Sequence, residues 1–173
     1  MKISELINSS SILLQFEAKN KKETLLKLAG KFCEIHPSVD PKRLFSSLMQ
    51  REELGSTGLG NGIAIPHAKS EAVPKPQGLL AVSKKGVDFH ALDGELVHVF
   101  FLMVYPQNPV GVHLIVLAGL ARLLRDDFVV GLIRRSVTPG QVIKIINEQE
   151  ARITVLAGKS INQKKGAMVR SGF

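Results

Sequence analysis

Apolar positions along the chain change period several times, and each change marks an element. Residues 12–16 (Ile-Leu-Leu-Gln-Phe) form a short apolar block that predicts a strand. From Lys22 the period becomes helical, with Leu25, Leu28, Ala29 and Phe32 on one buried face. Asp40 then Pro41 supplies an N-cap and a first-turn proline. Phe45, Leu48 and Met49 give the helix that follows its apolar side as it runs toward Arg51. Residues 55–62 hold four glycines in eight positions and predict a loop with unusual backbone angles. Ile63-Ala64-Ile65 is a minimal extended segment, and Pro66 favours extended geometry before it. Residues 78–84 and 96–105 predict two strands around the Asp93-Gly94 turn signal; the second is apolar on both faces and therefore central. From Pro109 the pattern is helical again: His113, Val116, Leu117, Leu120 and Leu124 share a face. Asp126 caps another helix, which ends in Arg134 and Arg135, where cations suit the helix dipole. Thr138-Pro139-Gly140-Gln141 has the form of a capping box and opens a last helix through Ile143, Ile146 and Asn147. Residues 151–157 offer a further short strand. This order of elements predicts an α/β fold, a mixed β-sheet flanked by helices on both faces in three α/β/α layers.

Length, charge and composition narrow the function classes. The 173 residues suffice for one domain with a real core. The net charge of +8 is unevenly placed: residues 1–150 carry 18 Lys/Arg against 15 Asp/Glu, a net +3, and residues 151–173 carry five basic residues and no acid. Residues 1–150 are therefore read as the folded domain and residues 151–173 as a basic, flexible C-terminal tail. Charge confined to a tail, with 5% aromatics and no tryptophan, argues against nucleic acid as the primary ligand. Cys33 is the only cysteine, which excludes an intrachain disulfide and agrees with a reducing compartment. The first 14 residues show no signal-peptide pattern, and the apolar runs 96–105 and 112–120 fall short of the roughly 20 residues that span a bilayer. A soluble, cytoplasmic protein without membrane insertion is expected.

His67 follows the glycine-rich segment, the short strand and Pro66. A histidine so placed can present one ring nitrogen to solvent, and neutral imidazole is a good nucleophile near pH 7. Its other nitrogen needs a carbonyl or carboxylate to fix the tautomer. A phosphoryl group there would find donors in Ser56, Thr57 and the loop amides, and a planar charged fork in Arg51. His67 read blandly is a surface turn residue. His113 is either a half-buried packing histidine or a second imidazole near His67. Other patterns fail on spacing. Gly58-Leu-Gly60-Asn-Gly62 is not Gly-x-Gly-x-x-Gly, and Ile153 stands where a phosphate loop ending in Gly158-Lys159-Ser160 needs glycine. Cys33 and His36 are too few for a metal site, and Cys33 reads as a buried helix cysteine. His90 and His98 read as structural. Glu52 and Glu53 are adjacent, point apart and make a poor acid–base pair.

Arg51-Glu-Glu, Gly55-Ser-Thr-Gly, Gly60-Asn-Gly-Ile-Ala-Ile-Pro-His67 and His113-Leu together resemble the fructose–mannitol class of enzyme IIA domains of the bacterial phosphotransferase system, including its nitrogen-regulatory branch. The resemblance covers roughly residues 1–148. It implies that His67 accepts the phosphoryl group, that Arg51 and His113 are the other active-site residues, and that Asn61 occupies the family's Gly-Asn-Gly position beside the phosphate. It implies a phosphoryl carrier charged by phospho-HPr or its nitrogen-branch counterpart, passing the group to a IIB cysteine or using it as a signal. No cofactor or metal is implied, since the donor is itself a phosphohistidine. Peripheral contact with a membrane IIC partner stays open. The alternative is a regulatory module that docks to a kinase or transporter without obligatory phosphotransfer.

Overall fold

The computed structural model describes residues 2–107 and 111–153. Six strands are present: β1 (Ile12–Leu13), β2 (Gly58–Gly60), β3 (Ile63–Ala64), β4 (His67–Lys69), β5 (Gln77–Val87) and β6 (Val97–Tyr105). Among the described residues five α-helices accompany them, beside two short 3-10 helices (Ile3–Glu5 and Ser9–Ser11): α1 (Lys21–Ile35), α2 (Pro41–Glu53), α3 (Val112–Leu124), α4 (Asp127–Arg135) and α5 (139–153). The sheet order is β1-β5-β6-β3-β2, with β4 also paired to β6. β6 runs antiparallel to β5 and parallel to β3 and β4, so the sheet is mixed. Every β6 residue except His98 is buried, as a strand apolar on both faces requires.

Helices cover both faces. Leu25, Leu28, Phe32, Leu44 and Leu48 of α1 and α2 pack on Leu79, Ala81, Phe100 and Leu102. Val116, Leu120, Val129, Ile133, Val142 and Ile146 of α3, α4 and α5 pack on Leu80, Val82, Phe101 and Met103. The predicted caps form: Asp40 accepts from Arg43 N–H, Asp126 from Phe128 and Val129 N–H, and Thr138 Oγ1 from Gln141 N–H. On α2, Leu44 joins Leu48 as the buried pair, while Phe45 and Met49 are only partly buried. Cys33 is half-buried.

Several elements differ from expectation: the strand expected over residues 12–16 is only Ile12–Leu13, and β4 is a strand where none was predicted. Residues 55–62 are not all loop, because Gly58–Gly60 forms β2 and makes a tight hairpin with β3 through Asn61 and Gly62. Both turn residues have positive φ (54° and 73°), the requirement of a type I′ turn. Residues 151–153 continue α5 and form no strand. Residues 154–157, and with them most of the predicted tail, lie outside the described residues.

Candidate phosphoryl-transfer site

β3 and β4 lie on the same side of β6 and are separated by Ile65 and Pro66. Pro66 has no N–H, but its carbonyl accepts from Met103 N–H at 2.9 Å, which keeps the chain along β6. His67 therefore starts β4 opposite Met103, two residues from the end of β6. Its ring is held at both nitrogens. Nδ1 lies 2.8 Å from Ile65 O, and Arg51 Nε donates to Nε2 at 2.9 Å. A carbonyl only accepts and a guanidinium only donates, so the two contacts select one tautomer: Nδ1 carries the proton and Nε2 the lone pair. Burial, joined by the positive field of Arg51 and His113, pushes the His67 pKa below the ordinary imidazole value against the upward pull of Ile65 O and Glu52.

Arg51 comes from the last turn of α2. Its Nη1 donates to Gly55 O at 3.0 Å, so the loop behind α2 aims the guanidinium. That loop is tied down by Glu52. The carboxylate is buried and accepts from Thr57 N–H (3.0 and 3.1 Å), Thr57 Oγ1 (2.6 Å) and Lys21 Nζ (2.9 Å). Burial pushes the Glu52 pKa up, but these bonds outweigh it and hold the carboxyl below its usual value. Tyr105, the last residue of β6, stands near His67, with ring centroids 6.5 Å apart. The Tyr105 ring stacks on His113 at 4.4 Å and 6°. His113 sits in the first turn of α3, whose N-cap Gly111 has φ 92°. Tyr105 thus bridges the two histidines. One nucleophilic nitrogen, one guanidinium within hydrogen-bond reach and a second imidazole beyond one aromatic ring can hold and stabilise a transferring anion.

Residues 5–149 match the family described as phosphoenolpyruvate-dependent sugar phosphotransferase system, EIIA 2. The chain belongs to this EIIA 2 family. The EIIA 2 domain is 38% identical over 136 residues to a nitrogen regulatory protein of Bradyrhizobium diazoefficiens, covering 79% of this chain and 88% of that one. It is 31% identical over 150 residues to the fructose-specific EIIABC component of Bacillus subtilis, covering 87% of this chain but 24% of that longer protein. It superposes on the nitrogen regulatory protein IIA-Ntr of Neisseria meningitidis with a TM-score of 0.78 at 31% identity, covering 83% and 98% of the two chains.

Within this EIIA 2 domain Arg51, His67 and His113 come together, and Ser56 lies on the loop that aims Arg51. The Ser56 hydroxyl is turned to Phe89 O at 3.4 Å and accepts from Gly58 N–H. Thr57 departs from its expected role as a phosphate donor, because its N–H and hydroxyl are both engaged by Glu52. Asn61 departs further. Gly62 O accepts from His98 and Val99 N–H whereas His67 faces Met103, which puts the Asn61 turn about 15 Å of strand away from His67. Asn61 N–H is bound instead to Asp93 Oδ2 at 2.8 Å. Tyr105 and the anchoring role of Glu52 were missed in the sequence. Tyr105 ends an apolar strand with nothing local to mark it, and adjacent glutamates cannot show which one is buried. Among the described residues no group of three or more His, Cys, Asp or Glu could hold a metal ion, and no helix is long and apolar enough to cross a membrane.

Proposed function

We propose that this EIIA 2 domain is a phosphoryl carrier that holds the group on His67 Nε2. The observation that carries the reading is the tautomer: the Ile65 carbonyl accepts a hydrogen bond from Nδ1–H, which leaves the Nε2 lone pair facing Arg51. A phosphohistidine on an HPr-like donor approaches Nε2 in line. The new N–P bond forms at Nε2 as the donor's N–P bond breaks, and the donor imidazole leaves. Nδ1 keeps its proton and donates it to Ile65 O in a hydrogen bond throughout. Arg51 exchanges its bond to Nε2 for the phosphoryl oxygens, as a guanidinium fork suits. His113, held by Tyr105, supplies the second donor to those oxygens. Positioning and charge account for the catalysis, and no metal is required. Ser56 serves as a polar edge of the cradle, while Thr57, and Asn61 at its distance, support the backbone.

The acceptor is a IIB cysteine, or the phosphorylated state is itself the signal, as the nitrogen-regulatory names of the relatives suggest. Leu54, three residues beyond Arg51, is 86% exposed, and Ile115, two beyond His113, is 73% exposed. Apolar residues flanking a polar site suit a docked protein partner. We place the protein in the cytoplasm, where phospho-HPr is available, and assign the carrier to residues 1–150. The test is incubation with phosphorylated HPr. Acid-labile phosphate is expected on the wild type and none on His67→Ala. Label retained by His67→Ala would refute the reading. A docking module without obligatory phosphotransfer predicts that His67→Ala leaves partner binding and in-cell effect unchanged.

A further inference from the structure

Lys84 and Lys85 are both exposed, in the stretch of β5 where its register with β6 shifts. Lys85 pairs with Glu17 at 3.2 Å. Lys84 lines a cleft of about 710 Å³ between β5 and the end of α4, together with Ser83, Gly131, Arg134, Arg135 and Val137. Three cations line this cleft and no carboxylate does. Lys21, Lys27, Lys31, Lys85 and Lys144 each have a carboxylate within 3.9 Å, but among the described residues Lys84, Arg134 and Arg135 have none. The C-terminal end of α4 offsets only about half a unit charge. Like charges gathered on one cleft repel unless an anion lies between them. The guanidinium of Arg135 also lies over Gly131, where a Cβ would stand 3.3 Å from Nη1 and 3.5 Å from Nη2. Glycine in mid-helix costs stability relative to alanine, and here it gives the guanidinium room inside the cleft.

We propose that this cleft is a second anion site, distinct from His67, that takes a compact small molecule bearing two or more phosphoryl groups. Two guanidinium forks and an ammonium match clustered phosphoryl oxygens. The lining has no aromatic ring to stack a nucleobase, only Val137 at 74% exposure. The site is separate from the carrier chemistry. Val82, next to Ser83, pairs with Val99, while His67 pairs with Met103, about 13 Å farther along β6. The proposal therefore does not depend on the phosphoryl-carrier reading.

The experiment is calorimetric titration of the full chain with inorganic pyrophosphate at physiological ionic strength. One saturable site is expected. It weakens at least about tenfold in Arg134→Ala/Arg135→Ala and in Lys84→Glu, and is unchanged in Arg51→Ala. Gly131→Leu, which keeps all three charges and fills the space, weakens binding likewise. Uptake of phosphate from phospho-HPr on His67 stays at the wild-type rate in the Arg134/Arg135 variant. Absence of saturable binding overturns the proposal. So does binding that survives the Arg134/Arg135 substitution, or binding that disappears with Arg51→Ala, which would place the anion at His67.

Discussion

Nε2 of His67 accepts from Arg51 Nε at 2.9 Å, and in the proposed carrier that bond is exchanged before the nitrogen attacks phosphorus. The same contact, with burial ahead of it, holds the ring neutral. The folded pKa is depressed, so the native state prefers the free base. The stability this contributes is present above the unfolded value of about 6.5 and is lost as pH falls through the window below it. His67 should titrate by NMR with a midpoint below that of a histidine in the unfolded chain, and phosphoryl uptake should persist below pH 6.5 before falling. Arg51→Ala removes a positive neighbour and moves the midpoint up. It also removes a charge-assisted bond worth about 1.5–3 kcal/mol, which slows uptake by about tenfold to a hundredfold. A wild-type midpoint at or above the unfolded value would contradict this account.

Along α2, adjacent glutamates face different environments. Glu52 is 8% exposed and anchors the 54–58 loop through Thr57 and Lys21, whereas Glu53 is exposed. Removing one partner of a buried ion pair costs about 3–5 kcal/mol. Glu52→Gln should therefore lower the unfolding midpoint strongly and speed amide exchange at Thr57. Glu53→Gln should stay within about 0.5 kcal/mol of wild type. Equal effects of the two substitutions would dismiss the anchor. The same contrast shows what a sequence reveals. The starts of α1 and α2, the caps Asp40 and Asp126 and the central place of β6 follow from local spacing, so they were legible. The proximity of Arg51, His67 and His113 was legible through the family resemblance, which carries long-range pairing that spacing does not. Asn61-Gly62 was a readable hairpin signal, but four glycines in eight residues obscured it. Tyr105, Glu52 and the fate of Thr57 depend on tertiary contacts that no local pattern encodes.

The candidate site lies where the two apolar layers meet. α2, on one face of the sheet, brings Arg51, and α3, on the other, brings His113. β4 contributes Ala68 to the α1–α2 core, and β6 ends in Tyr105 within the α3–α5 core. Such a site needs both layers to hold register together. β6 enforces this, because Phe100 and Phe101 are adjacent, fully buried and point into opposite cores. Phe100 packs edge-on against Phe89 at 5.4 Å and near Phe16 at 5.7 Å. Tyr105 is the only tyrosine and there is no tryptophan, so its fluorescence reports from the α3–α5 side of the sheet, where its ring is buried. Phe100→Ala damages the opposite core by about 3–5 kcal/mol. If the sheet makes one cooperative unit, urea unfolding followed by Tyr105 fluorescence shifts to the same lower midpoint as far-UV circular dichroism. A Tyr105 midpoint that stays in place while the dichroism midpoint falls would mean that the layers melt separately. Arg51 could then come loose while Tyr105 and His113 stay ordered.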